Sequence, residues 1–194
     1  MNIGIIGAGR VGCSLAVGLK NKGFVISGIY SRSESSASFL NLMLGTHHAN
    51  ELEKTVKNSD VVFLTVPDME LTRTAESISA IPDCGEICGK VFLHCSGAET
   101  SEVLEPLKNK GAYTGSLHPI QTFAGRENGW KCLEEIFFGF EGDDRAGKVA
   151  ETIVKALSSN LVKIRKEDKP LYHAAACVFS NYMVTLSHIA GKNA

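Results

Sequence analysis

The chain has 194 residues, 44% of them hydrophobic and 21% charged, with a formal net charge of −1. That is enough for one sizeable α/β core, and it excludes a basic surface built to grip nucleic acid or an acidic membrane. Six cysteines, at 13, 84, 88, 95, 132 and 177, form no regular framework. Cys84 and Cys88 have a spacing that zinc sites use, but no second Cys/His pair matches it, so free thiols and no metal are expected. The opening residues read as a strand rather than a signal peptide, and no apolar run reaches the roughly 18 residues of a membrane span. The expectation is a cytoplasmic protein with neither a nucleic-acid nor a membrane partner.

In chain order, Asn2–Ile6 is a short apolar run ending in a glycine-rich turn. Val11, Leu15, Ala16 and Leu19 give Val11–Lys22 one helical face, which Gly23 closes. Phe24–Tyr30 reads as the second strand, and Ser33–Leu44 as a helix with Ala37, Leu40, Met43 and Leu44 on one side. A short helix over Glu51–Lys57 precedes Asp60–Val66, a continuous apolar strand of the kind buried on both faces of a parallel sheet. Pro67-Asp68 stops it, a helix follows over Met69–Ile78, and Lys90–His94 is another buried strand. Ser101–Lys110 is helical with Gly111 as its stop, Tyr113–Leu117 is a strand, and Asn128–Leu133 has no clear pattern. Ile136–Glu141 and Leu161–Ile164 are strands around a helix over Asp144–Leu157.

From Glu167 the chain reads as one long helix, with Asp168 and Pro170 in its first turn. Leu171, Ala175, Val178, Phe179, Tyr182, Leu186 and Ile189 spread apolar surface around most of it. Such a helix calls for a partner, either a second subunit in a homodimer or further chain of a longer form. The repeated βαβ alternation predicts a doubly wound, mostly parallel Rossmann sheet with ligands at the carboxyl ends of its strands.

Gly7-Ala8-Gly9-Arg10-Val11-Gly12 lies between the first strand and first helix, where GxGxxG carries a mechanism. Gly7 permits the turn, Gly9 lets a pyrophosphate approach, and Gly12 lets helix and strand pack, with helix-start amides facing the phosphates. The end of the second strand selects the cofactor. An NAD site places an acid there, whereas Tyr30-Ser31-Arg32-Ser33 has none before Glu34. Arg32 can clamp a 2′-phosphate and Ser31 and Ser33 can donate to it, so NADP is preferred; the alternative is a solvated loop arginine. Val66, Pro67 and Asp68, and Ser96 and Gly97, follow the strands Asp60–Val66 and Lys90–His94, facing the nicotinamide half. Asp68 could equally cap the next helix, and Ser96 could be a turn residue.

Taken in order, GAGRVG, YSRS, LTVPD, HCSGA, GSLHPIQTFAG and KPLYHAAACVFSNY resemble a family of Rossmann-like oxidoreductases of unassigned substrate. That family is similar to pyrroline-carboxylate reductase, ketopantoate reductase and the β-hydroxyacid dehydrogenases. The resemblance implies an NADP-binding domain over 1–165 and, from 166 to 194, the opening helix of a substrate and dimerisation domain cut short at Ala194. On a helical wheel Lys169, His173 and Ser180 fall within about 40° of one another, and Asn181 about 120° from Lys169. The similar β-hydroxyacid dehydrogenases use a helix lysine with an amide residue four positions on, and here His173 takes the amide's place.

In this reading His173 moves the proton that accompanies hydride transfer, while Lys169 polarises the carbonyl or holds a carboxylate. The alternative is a solvated lysine and a packed histidine. His118 and Gln121, beside Pro119, suit a substrate-facing turn, and His94 reads as structural. The function expected is NADP-dependent hydride transfer to or from a small carbonyl, imine or hydroxyl substrate; the rival is a non-catalytic NADP-binding sensor.

Overall fold

Strands whose residues are apolar without interruption must be covered on both faces, and the described residues do this with seven strands and seven α-helices. The computed structural model describes residues 1–82 and 87–192, with positions 180, 181, 183, 184, 187, 190 and 192 described by backbone alone. The strands are β1 (Asn2–Ile6), β2 (Val25–Tyr30), β3 (Val61–Leu64), β4 (Val91–His94), β5 (Tyr113–Pro119), β6 (Phe137–Gly142) and β7 (Asn160–Lys163). The helices are α1 (Arg10–Asn21), α2 (Glu34–Leu44), α3 (Leu52–Lys57), α4 (Leu71–Ser79), α5 (Glu105–Lys108), α6 (Asp144–Ala156) and α7 (Lys169–Lys192).

One sheet takes them in the order β2-β1-β3-β4-β5-β6-β7. Every neighbouring pair is parallel except β5 and β6. The expected doubly wound α/β sheet is therefore present. Alternation along each strand divides the core in two. Ile3, Ile5, Phe63 and Leu93 point to one side with Leu15, Leu19 and Leu40. Ile6, Val62, Leu64 and Phe92 point to the other with Leu71, Ile78 and Leu107.

Differences from the sequence reading lie at element ends. Ser33 is the N-cap of α2, its Oγ accepting from the Ser36 amide at 3.3 Å. The helices expected from Met69, Ser101 and Glu167 each open on a 3-10 turn, over Asp68–Glu70, Ser101–Leu104 and Lys166–Asp168. The stretch with no clear pattern is a 3-10 turn over Gly129–Cys132. Exposure along α7 is uneven: Lys169 at its start is 2% exposed, whereas Leu171 and Phe179 are each 74% exposed.

The chain passes from β1 to β2 on one side and then returns to place β3 on the other side of β1. That reversal opens a crevice beyond the carboxyl ends of β1 and β3. Any ligand site starts there.

Candidate active site

The glycine turn fills the floor of this crevice. Gly7 has φ +105°, a left-handed conformation that side-chain-bearing residues rarely adopt, and its N–H donates to the Tyr30 carbonyl at 2.8 Å. A Cβ on Gly12 would stand 1.9 Å from the Gly7 carbonyl oxygen and 2.5 Å from Thr65 Oγ1. Thr65 Oγ1 donates to the Gly7 carbonyl at 2.6 Å and so ties the turn to the end of β3. A Cβ on Gly9 would meet nothing within 4 Å. Gly9 is also the N-cap of α1, without a side-chain cap, and the first turn of α1 carries no acid. The turn is thus closed where it packs and open where an anion would approach the helix-start amides.

Above it lies a cleft of about 560 Å³, lined by Gly7, Gly9, Ser31, Arg32, Ser33, Val66 and Pro67 among others. Arg10, Arg32, Arg73 and Arg126 line it against one carboxylate, Glu70. Arg32 Nη1 is 3.3 Å from Glu70 Oε1, but the arginine side chain is 80% exposed. The nearby acid, Glu34, accepts from Asn50 Nδ2 at 2.7 Å, and Asn50 also brackets the Ser31 backbone. Open amides, cationic walls and the open face at Gly9 fit the phosphates of a dinucleotide.

Next to the crevice, the carboxyl ends of β4 and β5 meet the first turns of α7. Lys169 Nζ donates to Ser116 Oγ at 2.5 Å and to the Ser96 carbonyl at 3.2 Å. An ammonium has three donors, and the third has no acceptor among the described residues. Burial holds the Lys169 amine down at about 8, against the pull of Glu141, Asp68 and Glu99. His118 stands two residues beyond Ser116 on β5, on the same face. Burial, with the His173 and Lys169 charges, brings His118 down to about 4, so it is neutral at pH 7.

His118 Nδ1 shares a 2.7 Å hydrogen bond with the Tyr172 hydroxyl, which burial pushes up to about 12. A Cβ on Gly139 would stand 2.4 Å from that hydroxyl, so the glycine inside β6 makes room for Tyr172. The point where a Cβ on Gly97 would stand is 2.7 Å from His173 Nδ1 and 3.0 Å from His118 Nε2. Two imidazoles therefore converge on the bare backbone of Gly97. His173 Nδ1 is buried without a hydrogen-bond partner among the described residues, and its Nε2 lies 3.4 Å from Cys177 Sγ.

Several residues singled out in the sequence have local partners. Asp68 Oδ2 accepts from Ser96 Oγ at 2.7 Å, linking the loops after β3 and β4, and Ser96 Oγ also accepts from the amides of Ala98 and Glu99. His94 is wholly buried, with Nε2 3.1 Å from the Thr100 carbonyl, and burial brings it down to about 3. Gln121 is exposed and bonds within its own loop, to the Thr122 amide and the Cys132 carbonyl, rather than to Lys169 or the histidines. Cys84 and the side chains of Ser180 and Asn181 lie outside the described residues. Among the described residues, no group of three or more His, Cys, Asp or Glu is placed to hold a metal. No described helix is long and apolar enough to cross a membrane.

Sequence reasoning missed Ser116, Tyr172 and Arg126. Ser116 and His118 share a strand face by period two, and Tyr172 sits one helical turn after Lys169, so both had a signal. Arg126, in an irregular loop, had none.

Residues 1–119 match the model of the Rossmann-like domain. The chain belongs to the Rossmann-like family. Residues 136–194 of this Rossmann-like chain match a domain of unknown function, DUF2520. A candidate NADP oxidoreductase from Bacteroides fragilis superposes with a TM-score of 0.81 at 23% identity, over 98% of this chain and 71% of that one. Protein TM1727 from Thermotoga maritima gives 0.72 at 30% identity, over 99% and 68%. An imine reductase from Bacillus cereus gives 0.72 at 18% identity, over 97% and 64%. No curated protein matches the sequence.

Proposed function

We propose that the chain is an NADP-dependent oxidoreductase acting on a small carbonyl, imine or hydroxyl substrate. The observation that carries this is a buried ammonium with an unused donor, Lys169, held beside the crevice where the glycine turn fits a dinucleotide. The B. fragilis and B. cereus structures, by the activities in their names, agree with it. The amides of the first turn of α1 would hold the pyrophosphate, and Ser31, Arg32 and Ser33 the 2′-phosphate. When bound, the nicotinamide supplies or takes up the hydride.

The chain's own residues supply charge and the proton. Below about pH 8 Lys169 is an ammonium whose free donor polarises a substrate carbonyl or imine and can pass its proton to the reduced atom. His118, neutral and bonded to Tyr172, orients the substrate rather than protonating it. His173 closes the other side over Gly97. A single observation favours a second reading, a non-catalytic NADP-responsive protein: Lys169 is only 2% exposed.

The test has two arms. NADPH should raise the melting temperature more than NADH, and Arg32→Ala should reduce that preference; equal shifts in the wild type would refute NADP. NADPH oxidation across keto acids, imines and aldehydes then separates enzyme from sensor, since a sensor binds NADPH and turns nothing over.

A further inference from the structure

Arg126 comes from the segment between β5 and β6, remote in sequence from the turn after β2, yet it lines the same cleft as Arg32 and Ser33. Two anchors on α1 fix the loop that carries it. Phe123 is buried and its carbonyl accepts from Arg10 Nη1 at 3.3 Å. Gly129 is packed so closely that a Cβ there would stand 2.1 Å from Ser14 Oγ. Between the anchors Ala124, Glu127 and Asn128 are exposed, while Arg126 is half-buried and folded back on α2.

There its guanidinium carbon lies 4.5 Å from the Phe39 ring centroid, and Nη1 donates to Ser36 Oγ at 3.3 Å. Ser36 is in the first turn of α2, its amide bonded to the cap Ser33. Stacking on Phe39 holds the guanidinium plane and leaves most of its donor fork uncommitted. Arg32 is paired with Glu70, whereas no carboxylate among the described residues pairs with Arg126. A weakly hydrated, pre-oriented cation beside a helix N-terminus and a second arginine suits a dianionic phosphate monoester more than a neutral ribose hydroxyl.

We propose that Arg126 is a second specificity-determining residue for the 2′-phosphate of NADP, supplied by the β5–β6 loop and acting with Arg32 from the β2–α2 turn. This rests on the NADP reading above. It places half of the phosphate clamp on the loop that begins at the His118 strand, so cofactor choice is set by two segments rather than one.

The experiment is isothermal titration of the whole chain with adenosine 2′,5′-bisphosphate and with AMP, which differ only in the 2′-phosphate. Wild type should prefer the bisphosphate. Arg126→Ala should weaken bisphosphate binding by about tenfold to a hundredfold and leave AMP within about twofold. Arg126→Met, which keeps an apolar cover on Phe39, should show the same selective loss, and Arg126→Lys should recover part of it. Equal losses for both ligands, or no loss in either variant, overturn the proposal while leaving NADP use intact. A wild type that binds both ligands equally overturns the NADP reading and this inference together.

Discussion

Replacing Lys169 by methionine should make the protein more stable and, at the same time, inactive. The substitution keeps the length of the side chain and removes the charge. A fall of the amine from 10.5 to about 8 means that charging Lys169 in the fold costs about 3 kcal/mol more than in water. The methionine variant escapes that cost but loses bonds to Ser116 Oγ and the Ser96 carbonyl, worth about 1 kcal/mol each. Ser116 keeps a partner, because its hydroxyl also donates to the Ser96 carbonyl at 3.0 Å. The net gain at pH 7 is about 1 kcal/mol, or roughly 2–4 °C in a chain of this size.

The gain should also shrink with alkali. The folded pKa is depressed, so wild type sheds its proton near pH 8 in the fold but only near 10.5 when unfolded, and its stability rises across that window. Methionine has no such rise. Calorimetry of both proteins from pH 7 to 10.5, beside NADPH oxidation on the substrate found in the panel, makes the test. Turnover should fall about 10²–10⁴-fold while NADPH still binds. A methionine variant that melts lower, or that turns over normally, would refute the reading of Lys169 as a functional charge held at a cost in stability.

Three further outcomes are expected. Acid should destabilise the fold through His94 and His118, which titrate near 3 and 4 folded but near 6.5 unfolded, so stability present above pH 6.5 is lost as pH falls towards 4. Urea midpoints that stay level between pH 7 and pH 4 would contradict this burial. Tyr172→Phe removes the hydroxyl bonded to His118 and should cost about 1–2 kcal/mol of stability and lower turnover without changing NADPH affinity; unaltered kinetics would detach the pair from the site. Gly12→Ala and Gly9→Ala should separate packing from binding. The first drives a methyl into the Gly7 carbonyl and should lower the melting temperature of the free protein, whereas the second meets nothing and should weaken NADPH binding alone. Identical behaviour of the two variants in both assays would contradict the assigned roles.

The sheet and the glycine turn were legible because both rest on local rules. Runs such as Val61–Leu64 and Val91–His94 can be satisfied only inside a parallel sheet, and GAGRVG after a strand has few other uses. Element starts were less legible: the 3-10 turns before α4, α5 and α7 differ from α-helix by a hydrogen-bond register that side-chain periodicity does not encode. The helical wheel put Lys169 and His173 on one face but could not say whether that face met water or protein.

Composition and local pattern were enough to determine a Rossmann-like chain with a glycine turn between its first strand and first helix, since backbone geometry and apolar alternation act over a few residues. The state of Lys169 was decided only by the tertiary structure, because Ser96, Ser116 and the α7 turn that bury it are brought together by packing across the sheet. The same is true of Arg126. A charge takes its chemistry from what surrounds it, and those surroundings come from residues far apart along the chain.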